Sequence, residues 1–441
     1  MVISMKEKLQ TQPYIGARDF YPAEMQIRNY IFDTWKRVCV RYGFEEYDFP
    51  ILEPLEIFAA KTGEEIVKNQ LFSFEDQSGR KLAIRPELTP GTVRMIAQKY
   101  NQLPKPIKWF MIGNNWRYER PQLGRGREFY QLEANIFGIT EITADFEIFQ
   151  LIIDLMKEFG ADESMFSLKY SDRKLISALL SGTLELDENM AATARRLMDK
   201  RKKMTSISFA DECKKYGLDE KQISLLEQFM NSTFDDLQNI IPEQILSNNQ
   251  GYADLLKLRA TLSEFDLDKY CMFDPGIIRG FDYSDGLVYE VFDKNPKNRR
   301  SLFGGERFDK LIEIFGAFDM AATGFAMGDW TLVEFLRNWN LLPRLQCEVE
   351  YFITTWPDED PRFLKYSLKT AEELRSNKKS VFVWTQTGTK LDKQLKYADK
   401  KGYRYALIAG EDELKEQKIT LKDLSTGTQT TLDFNEFLKQ L

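Results

Sequence analysis

Arginine and carboxylate side chains are the groups in this chain that could do chemistry, and they are interleaved at 116–131, WRYERPQLGRGREFYQ. The 441 residues include no histidine. This absence excludes Ser-His-Asp and Cys-His catalysis, histidine-ligated metals and any side chain with an unperturbed pKa near neutrality. A reaction on this chain must therefore use carboxylates, arginines, backbone groups and bound ions.

Taken one at a time, the candidate residues also fit ordinary structural roles. An arginine followed two residues later by a glutamate, as in Arg117 and Glu119, is typical of a surface ion pair. Phe129 fits a hydrophobic core, and Glu87 fits the first turn of a helix. Arg279 beside a glycine fits a hairpin. A functional interpretation therefore depends on the motifs around these residues.

Charge, cysteine spacing and hydropathy exclude several classes of protein. The net charge of −7 gives no global footprint for nucleic acid. No run approaches the ~20 apolar residues of a membrane span and no secretory signal pattern is present, so we expect a cytoplasmic protein with no membrane partner. The cysteines have no CxxC spacing, which argues against a disulfide framework or a thiolate zinc site. They stand at Cys39, Cys213, Cys271 and Cys347.

The periodicity of the first part predicts an antiparallel sheet flanked by helices, an α+β fold. Apolar residues at helical spacing predict an amphipathic helix over 25–43. The segment 47–54 reads as an edge or interface strand bounded by prolines. Alternation on both sides of Gln77–Arg80 predicts a hairpin. After a helix over 90–100, two further strands are predicted, IKWFMIGNNWRYE and GREFYQLEANIFG.

The rest of the chain divides into three stretches, which follow a first part at 1–160. Residues 161–270 have charged helical patterns and are interpreted as a mostly helical insertion. Strand patterns return at 271–340 and complete the first sheet. Short apolar runs alternate with helices at 345–441, which is typical of a small α/β domain.

Seven strings occur in the order in which they occur in one known family. The chain resembles the class II aminoacyl-tRNA synthetases, and among them the histidyl-tRNA synthetase family, over nearly its whole length. The strings are GARDFYP, the motif 1 helix and its Pro50 strand, RPELT, WRYERPQLGRGREFYQ of motif 2, RGFDYSDG, GGERFD and GFAMGD. The resemblance implies a catalytic core at 1–160 and 271–340 and an anticodon-binding domain at 345–441.

The resemblance also implies roles for individual residues in forming an aminoacyl-adenylate from ATP with Mg²⁺. Arg117 and Arg279 would be catalytic and would hold the phosphate, and Glu119 and Phe129 would bind adenine. The attacking carboxylate is already ionised at neutral pH, so no general base is needed. The residues that would bind the amino acid are Glu87, Thr89, Gln131, Asn135, Tyr283, Ser284 and Phe308.

Four positions depart from the family pattern. Asn135 replaces an acid and Ser284 a second tyrosine, the two side chains that normally hold the imidazole. Phe308 replaces a tyrosine, and Thr331 replaces the motif 3 arginine. Histidine attachment to tRNA is the first interpretation, and the alternative is a repurposed paralogue: a regulatory histidine or tRNA binder, or a ligase for a different amino acid.

The expected partners are tRNA, histidine and a second copy of the chain, which would dimerise through residues 25–54. Gln122 and Arg125 lie in the loop that in the family approaches the acceptor end of tRNA. Between 375 and 404, nine basic residues stand against two acids. The lysines of the helix 390–401 serve either solubility or phosphate contacts, and their place in the anticodon-binding-like domain favours phosphate. Those predicted to contact tRNA are Lys393, Lys396 and Lys400.

Overall fold

The computed structural model describes residues 9–59, 70–122, 124–201, 204–278, 284–298, 300–316, 319–344, 347–356 and 360–440. The chain divides into two compact units, Met1–Pro343 and Arg344–Leu441. None of the helices among these ranges is both long and apolar enough to cross a membrane.

The first unit is built on an eight-stranded sheet in the order β1-β5-β6-β11-β10-β9-β7-β8. The β1–β5 and β7–β8 pairs are parallel and the other five are antiparallel. In chain order the strands are β1 Glu45–Glu46, β5 Ile107–Trp116, β6 Glu128–Phe137, β7 Phe166–Asp172, β8 Cys271–Phe273, β9 Leu287–Asp293, β10 Ser301–Arg307 and β11 Ala322–Gly328. The predicted antiparallel sheet is therefore confirmed.

A small second sheet carries the predicted hairpin. It has the order β2-β4-β3, with β2 Leu52–Pro54, β3 Phe72–Glu75 and β4 Lys81–Ile84. Gly79 has φ of +76° in the turn between β3 and β4, a conformation that glycine adopts without strain. Pro54 lies on the edge strand β2, as expected for a residue with no backbone N–H.

Helices cover one face of the large sheet and form the main core. The helix Pro22–Arg41 buries Ile31, Trp35 and Val38, and the helix Thr143–Glu158 buries a continuous apolar stripe against the same face. The Trp35 indole N–H points at the sulfur of Met327 on β11, 3.1 Å away. Two further helices pack beside this sheet, Thr89–Gln98 and Asp329–Asn338, and the short helix Leu55–Ala59 packs against the small sheet.

The stretch 161–270, predicted to be a mostly helical insertion, contains one strand of the large sheet before its helices begin. Phe166–Asp172 is a strand of the large sheet, because its alternate residues Phe166, Leu168 and Tyr170 pack into the main core. The helical stretch then runs from Arg173 to Glu264. Its helices are Arg173–Ser177, Glu188–Lys200, Ser206–Lys215, Glu220–Met230, Leu237–Ile240, Glu243–Ser247 and Gln250–Glu264, with a π-helical turn at Ala178–Thr183.

The second unit has a five-stranded mixed sheet in the order β13-β12-β14-β15-β16. Its strands are β12 Tyr351–Ile353, β13 Val381–Val383, β14 Tyr405–Ile408, β15 Lys418–Asp423 and β16 Gln429–Asp433, and its helices are Pro361–Ser376, Leu391–Lys401, Glu411–Glu416 and Phe434–Lys439. The antiparallel strands β15 and β16 extend the predicted βαβαβ pattern.

The helix Leu391–Lys401 buries a polar side chain as well as an apolar one. Leu391 and Leu395 are only half-buried, whereas Gln394 and Ala398 are buried. The Gln394 amide can be buried because it exchanges hydrogen bonds with the backbone of Thr355, at 2.9 Å in both directions, and donates another to Thr389.

Candidate active site

A cavity of ≈ 310 Å³ opens on the face of the large sheet opposite the main helices. Its floor is hollow because small residues occupy the central strands, with Gly324, Ala326 and Gly328 on β11 and Gly304 on β10. On β6 the side chains alternate: Gln131, Glu133 and Asn135 line the cavity, while Leu132, Ala134 and Ile136 belong to the main core. Strand alternation thus places polar groups around a glycine-lined hollow.

The structure brings most of the predicted site residues together in this cavity. Described residues from motif 2, RPELT and GGERFD line it, although their sequence positions span more than 200 residues. The predicted residues found there are Glu87, Thr89, Arg117, Glu119, Arg125, Phe129, Gln131, Asn135 and Phe308. Arg279 and Tyr283 lie outside the described residues.

The predicted ATP end of the cavity is organised around Arg117. Its Nε donates to the carbonyl oxygen of Pro86 at 2.9 Å, and its guanidinium lies 5.4 Å from the centre of the Phe129 ring. Glu119 forms an ion pair with Arg125 at 2.9 Å. The predicted adenine-binding glutamate and the predicted tRNA-binding arginine therefore contact each other in this structure.

Thr331 supports the same end of the cavity without supplying a charge. Its hydroxyl donates to the carbonyl oxygen of Leu302 at 2.6 Å and so ties the helix Asp329–Asn338 to β10. Nearby, Asp329 accepts a hydrogen bond from the backbone N–H of Tyr130 at 3.0 Å and pairs with Arg18. These contacts fix the position of β6 beside the helix.

At the predicted amino-acid end, sequence reasoning missed Glu133. This carboxylate is buried and accepts hydrogen bonds from Thr89 at 2.7 Å, Thr92 at 3.0 Å and Asn135 at 2.8 Å. Burial raises the pKa of Glu133 to about 7, and these hydrogen bonds oppose the rise. The available signal was its spacing, since Glu133 lies midway between Gln131 and Asn135 on the same strand face.

A second missed carboxylate, Glu306, lies on β10. It is 5% exposed, lines the cavity, and accepts a hydrogen bond from the hydroxyl of the buried Ser284. Phe308, two residues further along, packs edge-on against Phe137 with 6.0 Å between ring centres. Ser284 is therefore connected to the cavity by its hydrogen bond to Glu306.

The remaining predicted tRNA contacts lie outside the cavity. Gln122 is exposed and accepts a hydrogen bond from Arg300 at 3.0 Å. In the second unit, Lys393, Lys396 and Lys400 are all exposed on one helix. Lys396 also pairs with Asp392 at 2.8 Å, one turn earlier. The lysines therefore have the solvent-facing orientation that phosphate contacts require.

Known proteins share both units of this chain. The family description "Histidyl-tRNA synthetase" matches residues 16–329, and "Anticodon binding domain" matches residues 352–441. The histidine--tRNA ligase of Leptospira biflexa is 41% identical over 99% of each chain. That of Haloarcula marismortui is 36% identical over 96% of this chain and 95% of its own.

Solved structures agree on the fold. The histidyl-tRNA synthetase of Nostoc sp. PCC 7120 superposes with a TM-score of 0.80 at 23% identity, covering 98% of this chain and 100% of that one. A Bacillus halodurans structure, described as an ATP phosphoribosyltransferase regulatory subunit/histidyl-tRNA synthetase, gives a TM-score of 0.75 at 21% identity, covering 91% of this chain and 99% of that one.

The antiparallel sheet with its glycine-lined cavity, joined to an anticodon-binding domain, defines a class II aminoacyl-tRNA synthetase. The sequence identity to a histidine--tRNA ligase over the full length then indicates which family of this class the chain resembles. The chain belongs to the histidyl-tRNA synthetase family.

Proposed function

We propose that this protein is an ATP-dependent histidine--tRNA ligase that acts through a histidyl-adenylate. The observation that carries the proposal is the 41% identity to a histidine--tRNA ligase over 99% of both chains, which spans the cavity and the anticodon-binding domain together. A regulatory subunit that binds only a small molecule has no need for the second unit.

In the proposed reaction the histidine carboxylate attacks the α-phosphorus of ATP. A new oxygen–phosphorus bond forms, and the bond to pyrophosphate breaks. The terminal ribose hydroxyl of tRNA then attacks the activated carbonyl and AMP leaves. Arg117 would neutralise charge on the α-phosphate, since it lines the cavity and is held by Pro86 and the Phe129 ring.

We propose that Mg²⁺ enters as the counter-ion of ATP and is part of the substrate. Within the described ranges, no group of three or more cysteine, aspartate or glutamate side chains is placed to hold a metal ion. Mg²⁺ is usually bound by one or two carboxylates together with substrate phosphates. The free thiols Cys39 and Cys213 are buried, which is consistent with the cytoplasm as the proposed compartment.

We also propose a homodimer formed through residues 25–54. Apolar side chains in this segment are exposed in the single chain, with Val40 55%, Ile51 41% and Leu52 41% accessible. Burying them against a second copy would remove this surface from water and cover the edge strand β2. Light scattering at micromolar concentration should give twice the chain mass of 51.6 kDa. A monomer at that concentration would contradict the proposed dimer.

The decisive test of function is ATP–pyrophosphate exchange with each of the twenty standard amino acids, followed by charging of tRNA. We expect exchange with histidine alone and transfer of histidine to its tRNA. Exchange with another amino acid and none with histidine would indicate a ligase of different specificity. No exchange at all, with retained histidine or tRNA binding, would indicate the regulatory paralogue.

A further inference from the structure

The start of β6 extends beyond its neighbour β11. The last pair in their register is Gln131 of β6 with Gly328 of β11, and the next residue begins the helix Asp329–Asn338. In the described part of the chain, no strand therefore adjoins Glu128–Tyr130 on this side. Backbone N–H and C=O groups that are shielded from water need hydrogen-bond partners. Phe129, in the middle of this stretch, lines the cavity.

Groups from two distant segments take the place of the missing strand. The backbone N–H of Tyr130 donates to Asp329 Oδ1 at 3.0 Å. The Trp330 indole N–H donates to the carbonyl oxygen of Glu128 at 2.9 Å. The backbone N–H of Glu128 donates to the carbonyl oxygen of Gly16 at 3.1 Å. The backbone on both sides of the cavity-lining phenylalanine is thereby held from outside the sheet.

Arg18 links the two segments to each other. Its Nη2 lies 2.5 Å from Asp329 Oδ2, the carboxylate oxygen to which Tyr130 does not donate. Its guanidinium lies 4.0 Å from the centre of the Trp330 ring and 4.8 Å from the centre of the Phe20 ring. The Asp329 side chain is 4% exposed, so the carboxylate side of the pair is shielded from water. One arginine therefore contacts both of the helix residues that hold β6.

Close packing at Gly126 brings the end of the motif 2 loop against the same two segments. A Cβ added to Gly126 would lie 2.6 Å from the Trp330 ring and 2.8 Å from the Gly16 carbonyl oxygen. The Gly16 carbonyl oxygen also accepts the backbone N–H of Arg127 at 2.8 Å. A shift of Trp330 or of the chain around Gly16 would therefore move the residues that lead into Phe129.

We propose that Arg18 is a positioning residue for ATP, because it fixes the start of β6 and with it the Phe129 ring that is assigned to adenine. Arg18 acts through Asp329 and Trp330 and is assigned no contact with substrate. The proposal rests on the proposed function. A ring that is already fixed loses little conformational freedom when a ligand binds, so fixing it raises affinity without adding a contact.

The test is Arg18→Lys, which keeps the positive charge beside the Asp329 carboxylate and removes the planar guanidinium that stacks on Trp330. We expect the KM for ATP in ATP–pyrophosphate exchange to rise about 3- to 10-fold. The KM for histidine should stay within about twofold. The reason is that Asn135, at the predicted amino-acid end, lies further along β6, where β11 adjoins it.

The matched control is Arg259→Lys. Arg259 also pairs with an aspartate, Asp235 at 3.0 Å, and its guanidinium also lies near an aromatic ring, that of Phe234 at 4.3 Å. It belongs to the helix Gln250–Glu264 and does not line the cavity. Its replacement should leave the KM for ATP and the KM for histidine unchanged.

Two further variants separate positioning from folding. Asp329→Asn keeps an oxygen for the N–H of Tyr130, removes the charge that pairs with Arg18, and should raise the KM for ATP by a similar factor. Phe129→Leu removes the ring. In that background Arg18→Lys should cause no further rise, because the side chain through which Arg18 acts is gone.

An unchanged KM for ATP in Arg18→Lys would overturn the proposal, and Asp329→Asn decides in its place if the first variant does not fold. Equal rises in the KM for ATP and for histidine would also overturn it and leave Arg18 a structural role. So would a full further rise in the Phe129→Leu background.

The unmodified protein is measured first. If it shows no exchange with histidine, the proposed function itself fails, and that result is distinct from failure of the Arg18 assignment. The same variants are then compared by the Kd for ATP from titration calorimetry. Equal Kd values for the unmodified protein and Arg18→Lys would overturn the assignment.

Discussion

At the scale of single residues, the site combines two arginines at its predicted nucleotide end with buried carboxylates at its predicted amino-acid end. Arg117 and Arg125 line the cavity near Phe129, whereas Glu133 and Glu306 lie further along the same sheet face. This separation of charge suits a substrate pair in which one partner is a polyphosphate and the other carries an ammonium group.

Arg117→Ala should lower histidine-dependent ATP–pyrophosphate exchange at least a hundredfold, which corresponds to about 3 kcal/mol of transition-state stabilisation. The reason is that the guanidinium is placed to act on phosphate charge that develops during the attack. The measurement is kcat/KM for exchange. Arg80→Ala, on a surface ion pair with Asp76, is the matched control. A loss of less than about fivefold in Arg117→Ala would remove Arg117 from its catalytic role.

Glu133 should make the folded protein less stable as pH rises. Its folded pKa of about 7 lies above the ordinary value of 4.5, so the folded state binds more protons between these two values. The contribution of Glu133 to stability is complete below pH 4.5 and is lost as pH rises through about 7. The shift corresponds to a decrease on the order of 3 kcal/mol in the free energy of unfolding between low and high pH.

Glu133→Gln should remove this dependence. Urea unfolding at about pH 5 and about pH 8 gives the free energy of unfolding of the unmodified protein and of the variant. The change between the two pH values is then compared for the two proteins. We expect the unmodified protein to lose more stability than the variant over that interval. Parallel pH profiles for the two proteins would show that Glu133 does not titrate in this range.

At the scale of elements, the cavity exists because neighbouring strands place residues of different size on the same face of the sheet. On β11, Met327 points toward the helix Pro22–Arg41 and fills the core, while Gly324 and Ala326 leave space on the other face. On β6, polar side chains fill the edges of that space. The substrate-sized hollow is therefore a consequence of which strand supplies glycine and which supplies side chains.

Gly324→Ala should displace the Asn135 side chain, which lines the cavity. The added Cβ would lie 1.8 Å from Asn135 Oδ1 and 2.5 Å from the Ala134 carbonyl oxygen, and the latter is backbone that does not move easily. We expect a loss of about 1–3 kcal/mol of stability and a large rise in the KM for histidine. The stability control is Gly328→Ala on the same strand, because a Cβ added there would have its nearest contact at 3.8 Å. Equal thermal midpoints for the two variants would argue against the close approach at Gly324.

At the scale of the whole molecule, the two compact units are predicted to divide the reaction between them. All the described residues that line the cavity belong to Met1–Pro343, and the exposed lysines of the helix Leu391–Lys401 belong to Arg344–Leu441. Each unit has its own sheet and its own buried clusters. The boundaries at 160, 270 and 340 inside the first unit stay predictions.

Deletion of residues 345–441 should leave amino-acid activation largely intact and abolish tRNA charging. The physical reason is that the truncated protein keeps the cavity but loses the basic helix face and its phosphate contacts. Pyrophosphate exchange and charging are measured on the same preparation, with circular dichroism confirming that the shortened chain is folded. Unchanged charging efficiency would show that the second unit does not serve tRNA binding.

The sequence alone was sufficient for features that depend on neighbours along the chain. Helical spacing predicted the helix that the structure places at Pro22–Arg41, and alternation predicted the hairpin around Gly79 and the strands β5 and β6. The resemblance of motif 2 and RPELT to the family pattern identified residues that line the cavity. The absence of histidine restricted the chemistry to arginines and carboxylates.

Only the tertiary structure decided which distant residues meet. Glu306 and Asn135 are 171 positions apart, and nothing local to either one fixes the register that sets Gly324 between them. The strand Phe166–Asp172 joined the sheet for the same reason, since its partners β8 and β9 come more than 90 residues later. Strand register is set by the packing of the whole sheet against its core. The energy of that packing depends on residues far apart in the sequence, so no short segment reveals it.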